Sequence, residues 1–171
     1  MSAMFAALIT VGAYIRIPTP LAPITLQTLF VMLSGLVLGF KYGTVSVIIY
    51  VCLGLCGLPV FAGGGGVSYL LNPTFGYIIG FVVSCGFVGY LTDKFGRDNY
   101  YRSFLYSLAG LIPIYLIGVS YFIAISHLVL ESAIDFTSVL LGGAVVFLPV
   151  DLIMCFVAAL TAIKIKKAIR F

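Results

Sequence analysis

The feature that most constrains this chain is a series of long apolar runs separated by short polar segments. A transmembrane helix needs about 20 mostly apolar residues, and one soluble core could not bury several such runs. Hydrophobic residues make up 63% of the 171 residues and charged residues 8%, against about 25% charged residues in soluble domains. The runs are continuous rather than alternating, which favours helices over a β-barrel. The sequence therefore predicts an all-α integral membrane protein, with residues 1–171 forming one membrane domain.

Six transmembrane helices are predicted from the apolar runs and from the proline, glycine and charged residues between them. The connection 15–25 contains three prolines, and the segment 92–102 is the most polar of the chain, so we expect it to lie in water. A tight turn is predicted at Lys41 and Tyr42. The predicted helices cover residues 2–15, 26–39, 43–58, 75–91, 103–126 and 139–163.

The positions of the basic residues predict the orientation, because cytoplasmic loops are enriched in Lys and Arg. With six helices, eight of the nine basic residues fall on one side, and only Arg16 falls on the other. Both termini are therefore predicted to be cytoplasmic. The eight residues are Lys41, Lys94, Arg97, Arg102, Lys164, Lys166, Lys167 and Arg170.

Asp151 is the only acidic residue well inside a predicted span, about 12 residues into the sixth helix and towards its outer half. An ionisable group in a membrane is costly unless it is paired or faces a wet cavity, so it is by default a candidate functional residue. We predict that Asp151 contacts a ligand or ion. The alternative is a hydrogen-bonded carboxyl group that ties two helices together. Pro149 is expected to kink the helix nearby.

The outer segment before the fourth helix contains a glycine run (62–66) and then polar side chains beside an apolar wall. Gly64 and Gly65 allow close approach of the backbone to a ligand, although a flexible connector is an equal alternative. Asn72, Thr74 and Tyr77 offer amide, hydroxyl and phenol groups, which suit a small, partly apolar ligand.

The sequence contains no signature of catalysis. It has one histidine, His127, no metalloprotease or serine hydrolase motif and no phosphate-binding loop. We therefore predict no catalytic residue, no metal site and no cofactor. The basic residues flank apolar spans, so nucleic acid is not expected as a partner. On the first helix, Ala3 and Ala7 are small residues four apart, which serve either internal packing or docking of a partner subunit.

Four stretches of the sequence carry a recognisable pattern: GAYIRIPTPLAPITLQTLFVMLSGLVLG (12–39), GLPVFAGGGG (57–66), NPTFGYIIGF (72–81) and FLPVD (147–151). The IP…PITLQT and GLPVFAGG…PTFGY elements are together quite specific. In these stretches the sequence resembles the BioY family, the biotin-specific substrate-binding (S) components of energy-coupling-factor (ECF) transporters. The stretches occur in the family's order, and the resemblance covers nearly the whole chain.

The resemblance implies a six-helix S component in the prokaryotic plasma membrane, with an outward-facing biotin pocket and a lid formed by the loop before the fourth helix. It implies partnership with a transmembrane coupling subunit and two cytoplasmic ATPases. It also implies that this chain docks through Ala3 and Ala7 on its first helix. Gln27, which lies in the first stretch, is also predicted to bind the substrate. The alternatives are an S component for another vitamin-like molecule and a structural membrane protein without a ligand.

The chain departs from the family pattern on both sides of Asp151. The pattern is Pro-Gly-Asp followed by Lys three residues later, but this chain has Val150 and Met154 at the Gly and Lys positions. Asp151 can accept hydrogen bonds from the ureido N–H groups of biotin, but it repels the carboxylate. We therefore expect Arg16, or N–H groups of the glycine run, to bind the carboxylate.

Overall fold

The computed structural model describes residues 1–19, 22–96, 99–128, 139 and 141–168, and most of them are helical. Short elements accompany the long helices: a 3-10 helix at Val67–Leu71, a π-helical turn at Leu141–Val145, and an antiparallel pair of strands, β1 (Arg16–Ile17) and β2 (Ile24–Thr25). The long helices are α1 (Ser2–Tyr14), α2 (Gln27–Leu55), α3 (Phe75–Phe95), α4 (Tyr100–Leu128) and α5 (Leu148–Ala168). In these parts of the chain, four helical stretches are long and apolar enough to cross a membrane: Gln27–Leu55, Phe75–Phe95, Tyr100–Leu128 and Leu141–Ala168.

α2 is a helical hairpin that reverses at a single residue, Gly39, where φ is 75° and ψ is −169°. The side chains of Gln27 and Tyr50 are hydrogen-bonded at 2.6 Å although 23 residues separate them, a distance of roughly 34 Å in a straight helix. The hydroxyls of Ser34 and Ser46 also meet, at 2.6 Å. The two arms, 27–38 and 40–55, therefore lie side by side and antiparallel.

The position of this reversal differs from the sequence prediction. Lys41 and Tyr42, the predicted turn, lie in the first turn of the second arm, and that arm ends at Leu55 rather than at residue 58. Gly39 is required here because its φ lies in the left-handed region. In addition, a β-carbon at this position would lie 2.3 Å from Asp93 Oδ1.

The contacts between the elements define two ends of the bundle. At one, which we name the basic end, Ser2 Oγ donates to the Tyr42 carbonyl at 3.0 Å, and the Phe40 N–H donates to Asp93 Oδ2 at 2.8 Å. The start of α1, the Gly39 reversal and the end of α3 therefore meet there, together with Lys41 and Lys94. We name the opposite end, formed by residues 16–19, 22–25 and 56–74, the loop end.

The packing of α3 against α4 depends on glycine, because small residues let transmembrane helices approach closely. A β-carbon at Gly80 would lie 2.8 Å from the Ile114 Cα, so no larger residue fits this crossing. On the outer surface of α4, Ile112 and Leu116 are about two-thirds exposed, at 64% and 65%. Such apolar side chains are suited to contact lipid.

The last predicted helix, 139–163, corresponds to the helical stretch Leu141–Ala168, which is distorted near its start. Leu141–Val145 forms a π-helical turn, and the regular helix α5 begins at Leu148. Pro149 lies in the first turn of α5, where a missing N–H is tolerated, directly after this distortion. Asp151 is in that same first turn rather than about 12 residues into a helix.

The polar connections also differ from the prediction. α3 continues to Phe95 and α4 begins at Tyr100, so most of the segment 92–102 is helical. The acidic residues Glu131 and Asp135 lie outside the described residues. Arg97 and Arg170 lie outside them as well.

Candidate functional site

A cavity lies at the loop end, between α2, α3, α4 and the start of α5. The space within it and at its open mouth is about 620 Å³. Most of its wall is apolar or aromatic. The lining residues are Ala22, Pro23, Thr25, Gln27, Thr28, Ala62, Tyr69, Thr74, Tyr77, Ile78, Phe81, Ile114, Tyr115, Phe147 and Asp151.

Asp151 is the only charged residue among these lining residues, and it is only 6% exposed. The Tyr115 hydroxyl donates a short hydrogen bond to its Oδ2, and the Thr28 side chain is a second hydrogen-bond partner. These partners come from α4 and α2, so the carboxylate joins three helices while it lines the cavity. Both sequence-based interpretations of Asp151, ligand contact and helix tie, are therefore compatible with its geometry.

Gln27 lines the cavity at the start of α2 and is held on both sides of its amide. Its Nε2 donates to the Tyr50 hydroxyl at 2.6 Å, and its Oε1 accepts from the Thr25 hydroxyl at 3.1 Å. These bonds fix the amide plane. The remaining amide hydrogen and oxygen lone pair are free to face a ligand.

Tyr77, near the start of α3, also lines the cavity. Its hydroxyl donates to the Gly143 carbonyl at 2.9 Å, which links α3 to the π-helical turn. Its ring lies over Gly118, where a β-carbon would come within 2.3 Å of the Tyr77 Cδ1. The phenol is thus fixed in position by two other elements.

Of the two polar residues predicted just before α3, Thr74 lines the cavity and Asn72 does not. Asn72 Oδ1 accepts the Thr74 N–H at 3.0 Å and the Thr74 hydroxyl at 2.8 Å. Asn72 therefore orients Thr74 rather than facing the cavity itself. The Tyr69 hydroxyl lies 3.4 Å from the Thr74 hydroxyl and adds a third phenol to the wall, beside those of Tyr77 and Tyr115.

The glycine run folds into a tight turn beside the cavity, but neither Gly64 nor Gly65 lines it. Gly64 has a φ of 124° and forms backbone hydrogen bonds with Phe61 at 2.9 and 3.1 Å. A β-carbon at Gly65 would lie 2.1 Å from the Leu58 carbonyl oxygen. Phe61 is fully buried, with its ring against Gly54, so this turn is anchored to the second arm of α2.

Arg16 lies at the mouth of the site without lining the cavity. Its Nη1 donates to the carbonyl of Ala62, a lining residue, and the side chain is otherwise exposed. Met154 lies about one turn after Asp151, is 4% exposed and does not line the cavity. Among the described lining residues there is therefore no cation, and Arg16 is the nearby basic group.

Several lining residues were not predicted from the sequence. Tyr115 and Thr28 gave no local signal, since a hydroxyl inside an apolar run is common and their proximity to Asp151 arises from helix packing. Tyr69 lies in the glycine-rich segment but was not singled out. The missed apolar wall residues include Ile78, Phe81, Ile114 and Phe147.

The arrangement favours a particular kind of ligand. A buried carboxylate at one end of the cavity accepts hydrogen bonds, and the aromatic and aliphatic wall contacts an apolar body. A ligand with N–H donors on a compact head and an apolar body fits these groups. An anionic group of such a ligand would be repelled by Asp151 and would favour the mouth near Arg16.

The model of the BioY family matches residues 1–171. A probable biotin transporter BioY of Lysinibacillus sphaericus is 41% identical over 99% of this chain and 87% of its own length. The biotin transporter BioY of Thermotoga maritima is 42% identical over 96% of this chain and 92% of its own. A crystal structure of the S-component for biotin from an ECF-type ABC transporter superposes with a TM-score of 0.85, at 29% identity, covering 97% of this chain and 88% of that one. This chain therefore belongs to the BioY family.

Proposed function

We propose that this protein binds biotin in the loop-end cavity and delivers it to an ECF module for ATP-driven uptake. It acts as the S component, a multi-pass protein of the cell membrane, and not as an enzyme. The observation that carries the proposal is the buried Asp151 carboxylate in a small-ligand cavity of a BioY-family chain. The module's transmembrane coupling subunit and two ATP-binding subunits are its partners.

The cavity chemistry supports one orientation of biotin. The ureido N–H groups donate to Asp151, and the apolar part of the ligand lies against Phe81 and Ile114. The biotin carboxylate points to the mouth, where Arg16 provides the cation that Met154 does not. Gln27, Thr74 and Tyr77 complete the polar contacts.

Isothermal titration of the purified protein with biotin tests this function. We expect saturable heat with a stoichiometry of one, and biotin among the small molecules that mass spectrometry detects in the purified protein. Absence of both heat and retained biotin would contradict the proposal. Displacement of biotin by a different vitamin-like molecule at lower concentration would instead assign the cavity to that molecule.

We also propose six membrane spans with both termini in the cytoplasm. The two antiparallel arms of α2 support counting this helix as two spans, and α1 adds a further apolar helix. Lys41 and Lys94 lie at the basic end, whereas Arg16 lies at the loop end. Because cytoplasmic segments are enriched in Lys and Arg, this distribution supports a cytoplasmic basic end.

Labelling of single cysteines in a cysteine-free background tests the orientation. Val67 at the loop end and Tyr101 at the basic end are similarly exposed, at 67% and 73%. In intact cells, a membrane-impermeant maleimide should label Val67→Cys, and it should label Tyr101→Cys only after permeabilisation. The reverse pattern, or equal labelling of both in intact cells, would rule out the proposed topology.

A further inference from the structure

A second concave site lies on the outside of the bundle, between the second arm of α2 and α3. We name it the α2–α3 groove. It shares no lining residue with the loop-end cavity. It is lined by Phe40, Thr44, Val82, Val83, Gly86, Phe87 and Tyr90.

The floor and length of the groove suit an extended apolar chain. A β-carbon at Gly86 would come within 3.2 Å of the Thr44 Oγ1, so the missing side chain creates the depression. The exposed rings of Phe40 and Phe87 and the exposed side chain of Val83 line its walls. From Val82 to Tyr90 the groove extends roughly 12 Å along α3, close to the depth of one leaflet's hydrocarbon, about 15 Å.

Polarity is segregated along the groove. The Thr44 hydroxyl donates to the Phe40 carbonyl at 2.6 Å, within its own helix, so it contributes little polarity to the floor. At the basic end, the Lys94 Nζ donates to the Tyr90 hydroxyl at 3.1 Å. The groove is therefore apolar along its length and ends at an ammonium and a phenol.

The charge near this end is mainly positive. Lys41 follows Phe40 directly, and Arg102 Nη1 donates to the Phe95 carbonyl at 3.1 Å, one residue beyond Lys94. The acidic residue here is Asp93, whose carboxylate accepts the Phe40 N–H in the Gly39 reversal. Next to this end of the groove, the three cations Lys41, Lys94 and Arg102 thus outnumber the carboxylate of Asp93, which favours an anionic headgroup.

We infer that the α2–α3 groove binds an anionic phospholipid. One acyl chain lies over Gly86 between the aromatic side chains, and the phosphate lies at the basic end against Lys94 and the Tyr90 hydroxyl. A tyrosine and a lysine at the membrane interface are the residues expected to contact a lipid headgroup. This site is independent of biotin recognition.

Native mass spectrometry of the purified protein with added phosphatidylglycerol or phosphatidylcholine tests the inference. We expect wild-type protein to retain phosphatidylglycerol at least threefold better than phosphatidylcholine. Lys94→Gln should abolish this preference, and Val83→Trp, which fills the groove, should reduce retention of both lipids. Lys164→Gln removes an exposed lysine from α5, which contributes no residue to the groove, and should leave retention unchanged.

Three outcomes would overturn the inference. The first is equal retention of the two lipids by wild-type protein, and the second is an equal loss in Lys94→Gln and Lys164→Gln. The third is the finding that a helix of a partner subunit, rather than lipid, occupies the groove in the assembled transporter. Biotin titration of each variant provides the folding control, and we expect unchanged affinity in all of them.

Discussion

Asp151 combines two roles that the sequence presents as alternatives. Its hydrogen bonds with Tyr115 and Thr28 join α5 to α4 and α2, and the same carboxylate lines the cavity. Its importance could be predicted because an acidic residue inside an apolar run is costly. Its partners could not, since Tyr115 lies 36 residues away and reaches it only through helix packing.

We expect Asp151→Asn to weaken biotin binding by more than about 1 kcal/mol, since hydrogen bonds to charged groups contribute about 1.5–3 kcal/mol. Isothermal titration measures the change. The melting temperature without ligand should also fall, because Tyr115 loses a charged acceptor. A lower melting temperature with unchanged biotin affinity would leave Asp151 as a helix tie only.

We expect Arg16→Gln to lower the affinity for biotin several-fold and to leave the affinity for biotin amide, which lacks the carboxylate, unchanged. The physical reason is that the described cavity-lining residues include no cation, so Arg16 at the mouth is the group that would attract the ligand's carboxylate. Competition binding with the two ligands measures the difference. An equal loss for both would show that Arg16 acts through its bond to Ala62 and not through the ligand's charge.

At the scale of the elements, the apolar runs predicted the helical segments well, because burial in lipid depends on length and composition. The positions at which the helices reverse or are interrupted were less predictable. The reversal at Gly39 depends on a left-handed φ and on Asp93 from α3, and the interruption before Leu148 depends on a π-helical turn packed under Tyr77. The family resemblance indicated Gln27, and the polar groups before α3 indicated Thr74, whereas the glycine run forms a turn beside the cavity.

We expect Gly39→Ala to destabilise the protein by about 1–3 kcal/mol, because the left-handed φ is strained for alanine and the new methyl would collide with Asp93. The matched control is Gly57→Ala, where φ is 100° but nothing lies within 4 Å of the added β-carbon. Thermal unfolding in detergent should show a smaller effect for the control. Equal effects would mean that the Asp93 contact contributes nothing.

The exposed face of α1 provides another test at this scale. Ala3 and Ala7 are exposed, whereas Ala6 between them is buried at 2%. We expect Ala7→Trp to abolish co-purification with the coupling subunit while leaving biotin affinity unchanged. Leu116→Trp, on the lipid-facing side of α4, is the control and should assemble normally. Normal assembly of Ala7→Trp would place the docking face elsewhere.

At the scale of the whole molecule, the two ends have different chemistry. The loop end contains the cavity. The basic end contains the cations, and the α2–α3 groove ends there. The apolar runs and the positions of the basic residues predicted a membrane protein with an inside and an outside. They did not predict the groove, since its depth results from one glycine facing a threonine on the neighbouring arm of α2.

The unequal helix lengths have a consequence for the surrounding bilayer. The second arm of α2 (40–55) has 16 residues and α4 has 29, so they extend roughly 24 Å and 43 Å, on either side of a hydrocarbon thickness of about 30 Å. The lipid next to the second arm of α2 must thin while α4 tilts, which is hydrophobic mismatch within one protein. We expect the melting temperature to be higher in bilayers of 14-carbon chains than of 20-carbon chains, measured in nanodiscs. The protein would then favour the thinner regions of its membrane, where the deformation next to this arm costs least.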